Sequence, residues 1–493
     1  VTGAVEANSV SMTTLNGNIQ TGAINAVNTV ASSVQLAANS GNVTVTGTVD
    51  ASYIELRASG PGATGNVTVG NLNPDAATTG PGTVNLYADT SIAAGTIDAD
   101  QITAAGWSCC PTFPSITAGA IGGRRPGNYL YVSGSDVTLG ALTLDGTGVG
   151  QTLEVRGTNN VTVTGNVGMG LGGDMFNPAR LDAGNLLTFN GGNGVFAATD
   201  GSAVLLHAGN ALTATPFAFR RVDAGATGWV TIDAPAGIRQ TLEAAGGGGI
   251  RAGTVILKAT AGGSSIDTQE GTNPITTLTL RETADLTIDS GGDLRIQLTG
   301  ASGAPELHNL DITRARNDGT YVLNDGAHGP NDLNAAQSLS VVDNGSGVDL
   351  TLTNAGSTAL NFRFRNTDGP GNIVVKGTGI ATKGGFVKLE SATGQVSNDP
   401  GAAIDSTDVG LGDGAVTITA ATGIDLAGPV TAGAAAVTMS TGGNLFGTST
   451  ITGGAVSLSS LLGDIGDGLG GAIAITAPTV SLTATRNLGP GVG

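Results

Sequence analysis

Of the chain's 493 residues 82 are glycine, 12% are charged and 3% are aromatic. Ordinary domains carry about a quarter charged residues, so any core here must be thin and filled by Val, Ile, Leu, Ala and Thr. A net charge of −18 argues against nucleic acid as a partner, since phosphate binding needs clustered Lys and Arg, and no apolar run approaches the ~18 residues of a membrane-spanning helix.

From the N-terminus onward one phrase recurs: two apolar residues flanking a polar one, then a small residue, then a turn of Gly, Asn, Asp or Ala. It reads Ser9-Val10-Ser11-Met12, Ser33-Val34-Gln35-Leu36-Ala37, Tyr53-Ile54-Glu55-Leu56 and Thr83-Val84-Asn85-Leu86 in the first hundred residues. It returns at Ala203-Val204-Leu205-Leu206, Trp229-Val230-Thr231-Ile232 and Thr254-Val255-Ile256-Leu257, and again at Ala415-Val416-Thr417-Ile418, Ala436-Val437-Thr438-Met439, Ala455-Val456-Ser457-Leu458 and Thr479-Val480-Ser481-Leu482. A recurrence of roughly 19 to 30 residues is the period of a solenoid. Between the phrases lie alternating stretches such as Gly41 to Ala51, where Val43, Val45 and Val49 share one parity and Thr44, Thr46 and Thr48 the other. Alternation of this kind is a strand with one buried face. Gly and Asn between the strands are expected to supply the positive-φ corners.

Strands of three to five residues are too short to stand alone. Stacked as coils at about 4.8 Å, each would pair in parallel with the next and satisfy its backbone. The predicted fold is therefore all-β: a parallel β-helix (β-solenoid) of about 20 coils of roughly 19–30 residues and roughly 100 Å, a single elongated body over residues 1–493 with a non-repetitive insertion near 105–131. No dozen-residue stretch combines helical apolar spacing with freedom from glycine. A β-sandwich would call for more aromatics and longer strands.

The insertion carries Trp107, Phe113, Arg124, Arg125, Tyr129 and Tyr131, residue types that binding hot spots favour, beside both cysteines, Cys109 and Cys110. It reads either as a flap packed on the body or as a contact site for a partner, a glycan or a neighbouring subunit. The adjacent cysteines close a vicinal disulfide, bridge to another chain or stay as thiols.

Elsewhere the chemistry is sparse. Gly168 to Gly173 and Gly466 to Gly471 fit GxGxxG, but neither opens a helix, as dinucleotide binding requires. His207, His308 and His328 lie far apart, and no GxSxG or HExxH string occurs. No catalytic set, cofactor or metal is expected. Asp98 and Asp100 have the two-residue spacing that puts an acid and a base on one strand face, yet they read better as turn or solvent-facing residues. Asp464 and Asp467 bear a faint likeness to the calcium-binding nonapeptide, which works through tandem copies missing here. In Asn361 to Asn366, Phe362 and Phe364 should face inward and Arg363 and Arg365 outward, a basic stripe read as solvated in preference to docking an acidic neighbour. Phe217 to Arg221 has similar composition.

The phrases Ala284 to Ile296, Ala415 to Gly428 and Gly454 to Gly466 resemble the passenger region of filamentous haemagglutinin-type proteins, the exoproteins of two-partner secretion. Such phrases cover most of the chain. The resemblance implies a right-handed parallel β-helix, export across an outer membrane and display as a fibre on a bacterial cell surface. The family's Asn-Pro-Asn-type secretion motifs are not matched by Asn73-Pro74-Asp75 or Asn177-Pro178-Ala179, and Val1 stands where an initiator Met would, so the chain reads as a stretch of stalk or a filament subunit. The expected role is a structural and adhesive extracellular segment. Its expected partners are neighbouring copies or continuing chain at open strand edges, and host or neighbour-cell glycans or proteins. The alternative is a polysaccharide-binding or polysaccharide-cleaving β-helix, tailspike-like or lyase-like.

Overall fold

The computed structural model describes residues 3–26, 32–60, 64–74, 82–106, 113–123, 128–144, 151–170, 178–192, 194–210, 216–241, 248–261, 264, 266–268, 278–281, 283–290, 294–299, 307–314, 321–323, 337–367, 371–466 and 472–489. Strand accounts for 61%, and the described residues contain almost no helix, a 3-10 turn at Asn190–Gly192 being the longest piece. The chain forms two compact units, residues 1–210, 217–234 and 241–251, and residues 211–216, 235–240 and 252–493. Each is a parallel β-solenoid.

In the first unit every coil contributes to three ladders. The long-strand ladder stacks strands such as Ser33–Ala38, Tyr53–Ala58, Thr83–Ala88, Tyr129–Gly134 and Thr152–Gly157, with Val34, Ile54, Val84, Ile102, Leu130 and Leu153 in one in-register column. A second ladder stacks Ile19, Val43, Val67, Ile92, Ile116, Val137, Val161 and Leu187. The third, of shorter strands, aligns Ile24 with Val49 and Ile97 with Ile121 and Leu142. All these side chains are buried. The alternation in the sequence therefore becomes three aliphatic columns meeting along a narrow core.

Two local expectations are corrected. The alternating stretch from Gly41 to Ala51 is two strands, Val43–Val45 and Val49–Asp50, on different ladders. A corner intervenes at Gly47, where a Cβ would lie 2.8 Å from the Cβ of Ala23 on the adjacent coil. The valines keep one parity because each strand points its own apolar positions inward.

Asparagine, Asn190 apart, does not supply the positive-φ corners: among the described residues Asn190 and Lys383 are the only non-glycines with positive φ. The corner asparagines act through their side chains. Asn18 Oδ1 accepts the Asn42 backbone N–H at 2.8 Å, and Asn42 Oδ1 accepts the Asn66 N–H at 2.9 Å and its Nδ2 at 3.0 Å. Asn66 Oδ1 then accepts the Ser91 hydroxyl at 2.6 Å. Each side chain thus satisfies a donor one coil further on, where the strands diverge and the backbone ladder is interrupted.

The second unit repeats the plan, its long ladder running in register through Leu286, Leu310, Phe362, Val387, Val416, Val437, Val456 and Val480. Its last inward column is largely polar, with Ser290, Arg314, Asn366, Ser391, Thr441 and Ser460 but also Ala420 and Ala484, where the first unit mostly uses Ala or Gly. Ser391 Oγ donates to Gly371 O at 2.7 Å and accepts the Gly394 N–H at 2.9 Å, and Ser460 Oγ does the same with Gly443 and Gly463 at 2.7 and 3.0 Å. These buried hydroxyls are satisfied by the backbone of the corner they line.

One excursion breaks the parallel pattern. Tyr321–Leu323, Gln337–Asp343 and Gly347–Asn354 pair antiparallel in turn, and Gly347–Asn354 rejoins the parallel ladder against Asn372–Ala381. The hairpin turns at Asn344, whose Oδ1 accepts the Ser346 N–H at 3.0 Å, and at Gly345 with φ 80°, the local chemistry that tight turns require. The coil count differs slightly from the expected twenty.

Candidate functional site

Since one parity of every long strand is buried, the other forms a continuous outer face. In the first unit Glu55, Asn85, Thr103, Tyr131, Glu154, Arg180, Leu205 and Thr231 make one unbroken outer column over eight successive strands. Tyr53 and Tyr129 stand on one side of it, Tyr87, Arg156, Asp182 and His207 on the other. Four of the chain's five tyrosines and one of its two tryptophans, Trp229, face outward on this ladder, whereas Phe189, Phe196, Phe217 and Phe219 are buried in the same unit. The rings are sorted by whether they carry a polar atom.

Their geometry is fixed locally. The Tyr53 hydroxyl donates to Glu55 Oε2 at 2.6 Å and accepts from Asn85 Nδ2 at 3.3 Å. Trp229 Nε1 donates to Thr231 Oγ1 at 3.1 Å. Glu55 and Thr231 each lie two residues on along the same strand, so both rings lie down along the strand instead of standing off it. Tyr129 and Tyr131 are stacked, with centroids 6.5 Å apart and planes 14° apart. Beside Trp229 a cavity of about 160 Å³ is lined by Pro178, Ala203, Val204, Leu205 and Thr231. Ala203 is the register partner of Trp229, and its small side chain leaves the notch.

Burial pushes the Tyr53, Tyr87 and Tyr129 phenols upward, reinforced by Glu55 for the first two and by Glu154 for the third. All three remain protonated donors at neutral pH. The charges of the face are largely paired: Arg156 with Glu154, Arg180 with Asp182, and His207 Nδ1 with Asp182 Oδ1 at 2.6 Å. The hydrogen bond to His207 holds the Asp182 carboxyl below its ordinary 3.8, and the same bond raises His207 above 6.5.

Of the residues singled out from sequence, Trp107, Cys109, Cys110, Arg124 and Arg125 lie outside the described residues, as does the disulfide they were expected to include. His328 and Asp467 do too. Phe113 is half exposed, and Tyr129, 40% exposed, is joined to Tyr131 on the strand Tyr129–Gly134. That strand is a regular rung of the ladder.

Asp98 ends a two-residue strand, while Asp100 lies beyond the buried Ala99 at the corner, itself buried and accepting the Gly82 N–H at 3.4 Å. The two carboxylates thus do not share a strand face. Asp464 Oδ1 accepts the Asn487 N–H at 2.8 Å and its Nδ2 at 3.0 Å, so it occupies the corner position that asparagine holds elsewhere.

In the second unit Phe362 and Phe364 are fully buried. Arg363 bonds to Asp311 at 3.2 Å and Glu390 at 2.9 Å, and Arg365 to Glu390 at 2.8 Å. The basic stripe is met by carboxylates of the adjacent rungs, a contact that one strand's sequence cannot show.

No protein family, curated protein or solved structure matches the chain. What stands is the architecture, a parallel β-solenoid, which is consistent with a β-helical passenger. Sequence reasoning finds Tyr129 and Tyr131 of the aromatic face but not Tyr53, Tyr87 or Trp229, although the signal for them is present. In Tyr53-Ile54-Glu55 and Trp229-Val230-Thr231 the central apolar residue fixes the inward parity, and its neighbours are then outward.

Proposed function

We propose that the chain is a structural and adhesive segment of an exported, surface-displayed fibre of the filamentous haemagglutinin type, acting as a stiff stalk and not as a catalyst. The observation that supports this reading is the in-register stacking of the long ladder within each unit. A column such as Val34 to Leu153 is buried throughout and hydrogen-bonded on both sides, so bending it would break ladder bonds in many coils together. In the second unit the last described rung of the long ladder is uncovered: Val480 is 45% exposed where its register partner Val456 is 1%. Under this proposal a coil of a neighbouring copy covers that edge.

The reading is tested on cells that produce the protein. Intact cells treated with protease should lose the chain while a cytoplasmic marker survives, and the purified chain should scatter X-rays as an elongated particle. Protection of the chain on intact cells, or a compact particle, would refute it.

A further inference from the structure

We infer that the outer face of the long ladder in the first unit binds a neutral polysaccharide laid across successive coils, with Tyr53, the Tyr129–Tyr131 pair and Trp229 as its stacking points. The inference gives the adhesive reading above a ligand and rests on that reading for its biological setting.

Three observations carry it. The first is the disposition of the rings. Tyr53 and Trp229 are held along their strands by hydrogen bonds at 2.6 and 3.1 Å to residues two positions on, so each offers a ring face, the surface on which the C–H face of a sugar ring packs. Holding the rings in place beforehand removes the rotamer entropy that binding would otherwise have to overcome.

The second is the spacing. The outer column from Glu55 to Thr231 is unbroken and spans about 34 Å at the usual strand separation. Each rung advances by about 4.8 Å, close to the length of one hexose unit in an extended chain. Such a chain therefore stays in step with the rungs, about one sugar to each coil, with an aromatic platform near either end and one between. The notch over Ala203, about 160 Å³ against Trp229, admits one sugar ring edge-on. Between the first two platforms Asn85 and Thr103 offer hydroxyl-compatible donors and acceptors.

Charge is the third. The chain carries −18, yet on this face Arg156 and Arg180 are neutralised by Glu154 and Asp182. An anionic polysaccharide would compete with those carboxylates for their cations and be repelled by the molecule as a whole. A neutral one meets no such barrier.

The experiment uses the full chain and immobilised mannan, β-glucan and galactan, with heparin as the anionic comparison. At least one neutral polysaccharide should retain the protein, with little change on adding salt. Tyr129→Ala combined with Tyr131→Ala, and Trp229→Ala alone, should each weaken retention at least tenfold, while Phe386→Ala, an exposed ring in the second unit, should leave it unchanged. Should Trp229→Ala disturb folding, as read by circular dichroism, Tyr129→Ala alone decides the matter, because its side chain points away from the core. Retention by heparin only, retention by none of the three, or unchanged retention in the tyrosine variants would overturn the inference, as would binding to cells that survives periodate oxidation of their glycans. Since retention is measured on isolated protein, its failure is separable from failure of surface display.

Discussion

Replacing Asn42 by alanine removes an acceptor that serves the next coil. Asn42 Oδ1 takes the backbone N–H of Asn66 at 2.9 Å and its side-chain amide at 3.0 Å, while Asn42 in turn donates its own N–H to Asn18. A net hydrogen bond contributes about 0.5–1.5 kcal/mol, and this corner is only part-buried, so water recovers some of the loss. The expected destabilisation is about 1 kcal/mol, about a fivefold shift in the local opening equilibrium. Asn42→Asp keeps the acceptor and should cost little, as Asp464 fills the equivalent role toward Asn487. In a stack whose coils touch only their neighbours the effect should stay local. Amide hydrogen exchange is the assay: Asn66 should exchange about fivefold faster in Asn42→Ala, with Val137 and the coils beyond it unchanged. An unchanged Asn66 rate, or an equal acceleration in Asn42→Asp, would refute the corner-acceptor account.

Ile54, fully buried between Val34 and Val84, should lose about 3 kcal/mol on truncation to alanine, whereas Glu55→Gln beside it should change stability by under about 0.5 kcal/mol; chemical denaturation reads both. Gly401→Ala should cost about 1 kcal/mol from its φ of 90° alone, since nothing lies within 4 Å of a Cβ there. Gly379→Ala should cost clearly more, because with φ 85° its Cβ would meet Ala403 O at 1.9 Å, and equal losses at the two sites in thermal melts would count against the close-approach argument. The His207–Asp182 pair should make stability pH-dependent. Asp182, lowered from 3.8, contributes above that value and loses its contribution as pH falls through its folded pKa; His207, raised from 6.5, contributes fully below 6.5 and loses it as pH rises through its folded pKa. The extra stability should therefore be greatest between about pH 4 and 6.5, amount to under about 1 kcal/mol for this half-exposed pair flanked by Arg180 and Asp233, and vanish in His207→Gln; a flat difference between wild type and variant across pH would contradict it.

Much of this architecture was legible because a strand's inward parity is written in its apolar residues. Phe362 and Phe364 went inside as their alternation required, and the recurring Val-x-Leu and Val-x-Ile phrases became the buried columns. What one strand cannot reveal is what lies on the coils above and below. Arg363 and Arg365 looked like an unpaired basic stripe until Asp311 and Glu390 arrived on adjacent rungs, and the corner asparagines looked like turn formers until their side chains were seen to reach the next coil. The aromatic face was hidden for the same reason. Tyr53, Tyr129 and Trp229 are far apart in sequence and become one surface only once the register of eight strands is known.

The excursion between Leu310 and Phe362 shows how loosely corner length is tied to ladder geometry. Asn309 and Asn361 are 52 residues apart yet hydrogen-bonded neighbours at 2.9 Å, while elsewhere a comparable step, Val437 to Val456, takes far fewer. Material can therefore be inserted at a corner without re-indexing the columns on either side, leaving any surface composed across the coils intact. A foreign segment grafted near residue 344 would ride outside the stack, which makes that corner a natural place to attach cargo to a scaffold of this kind.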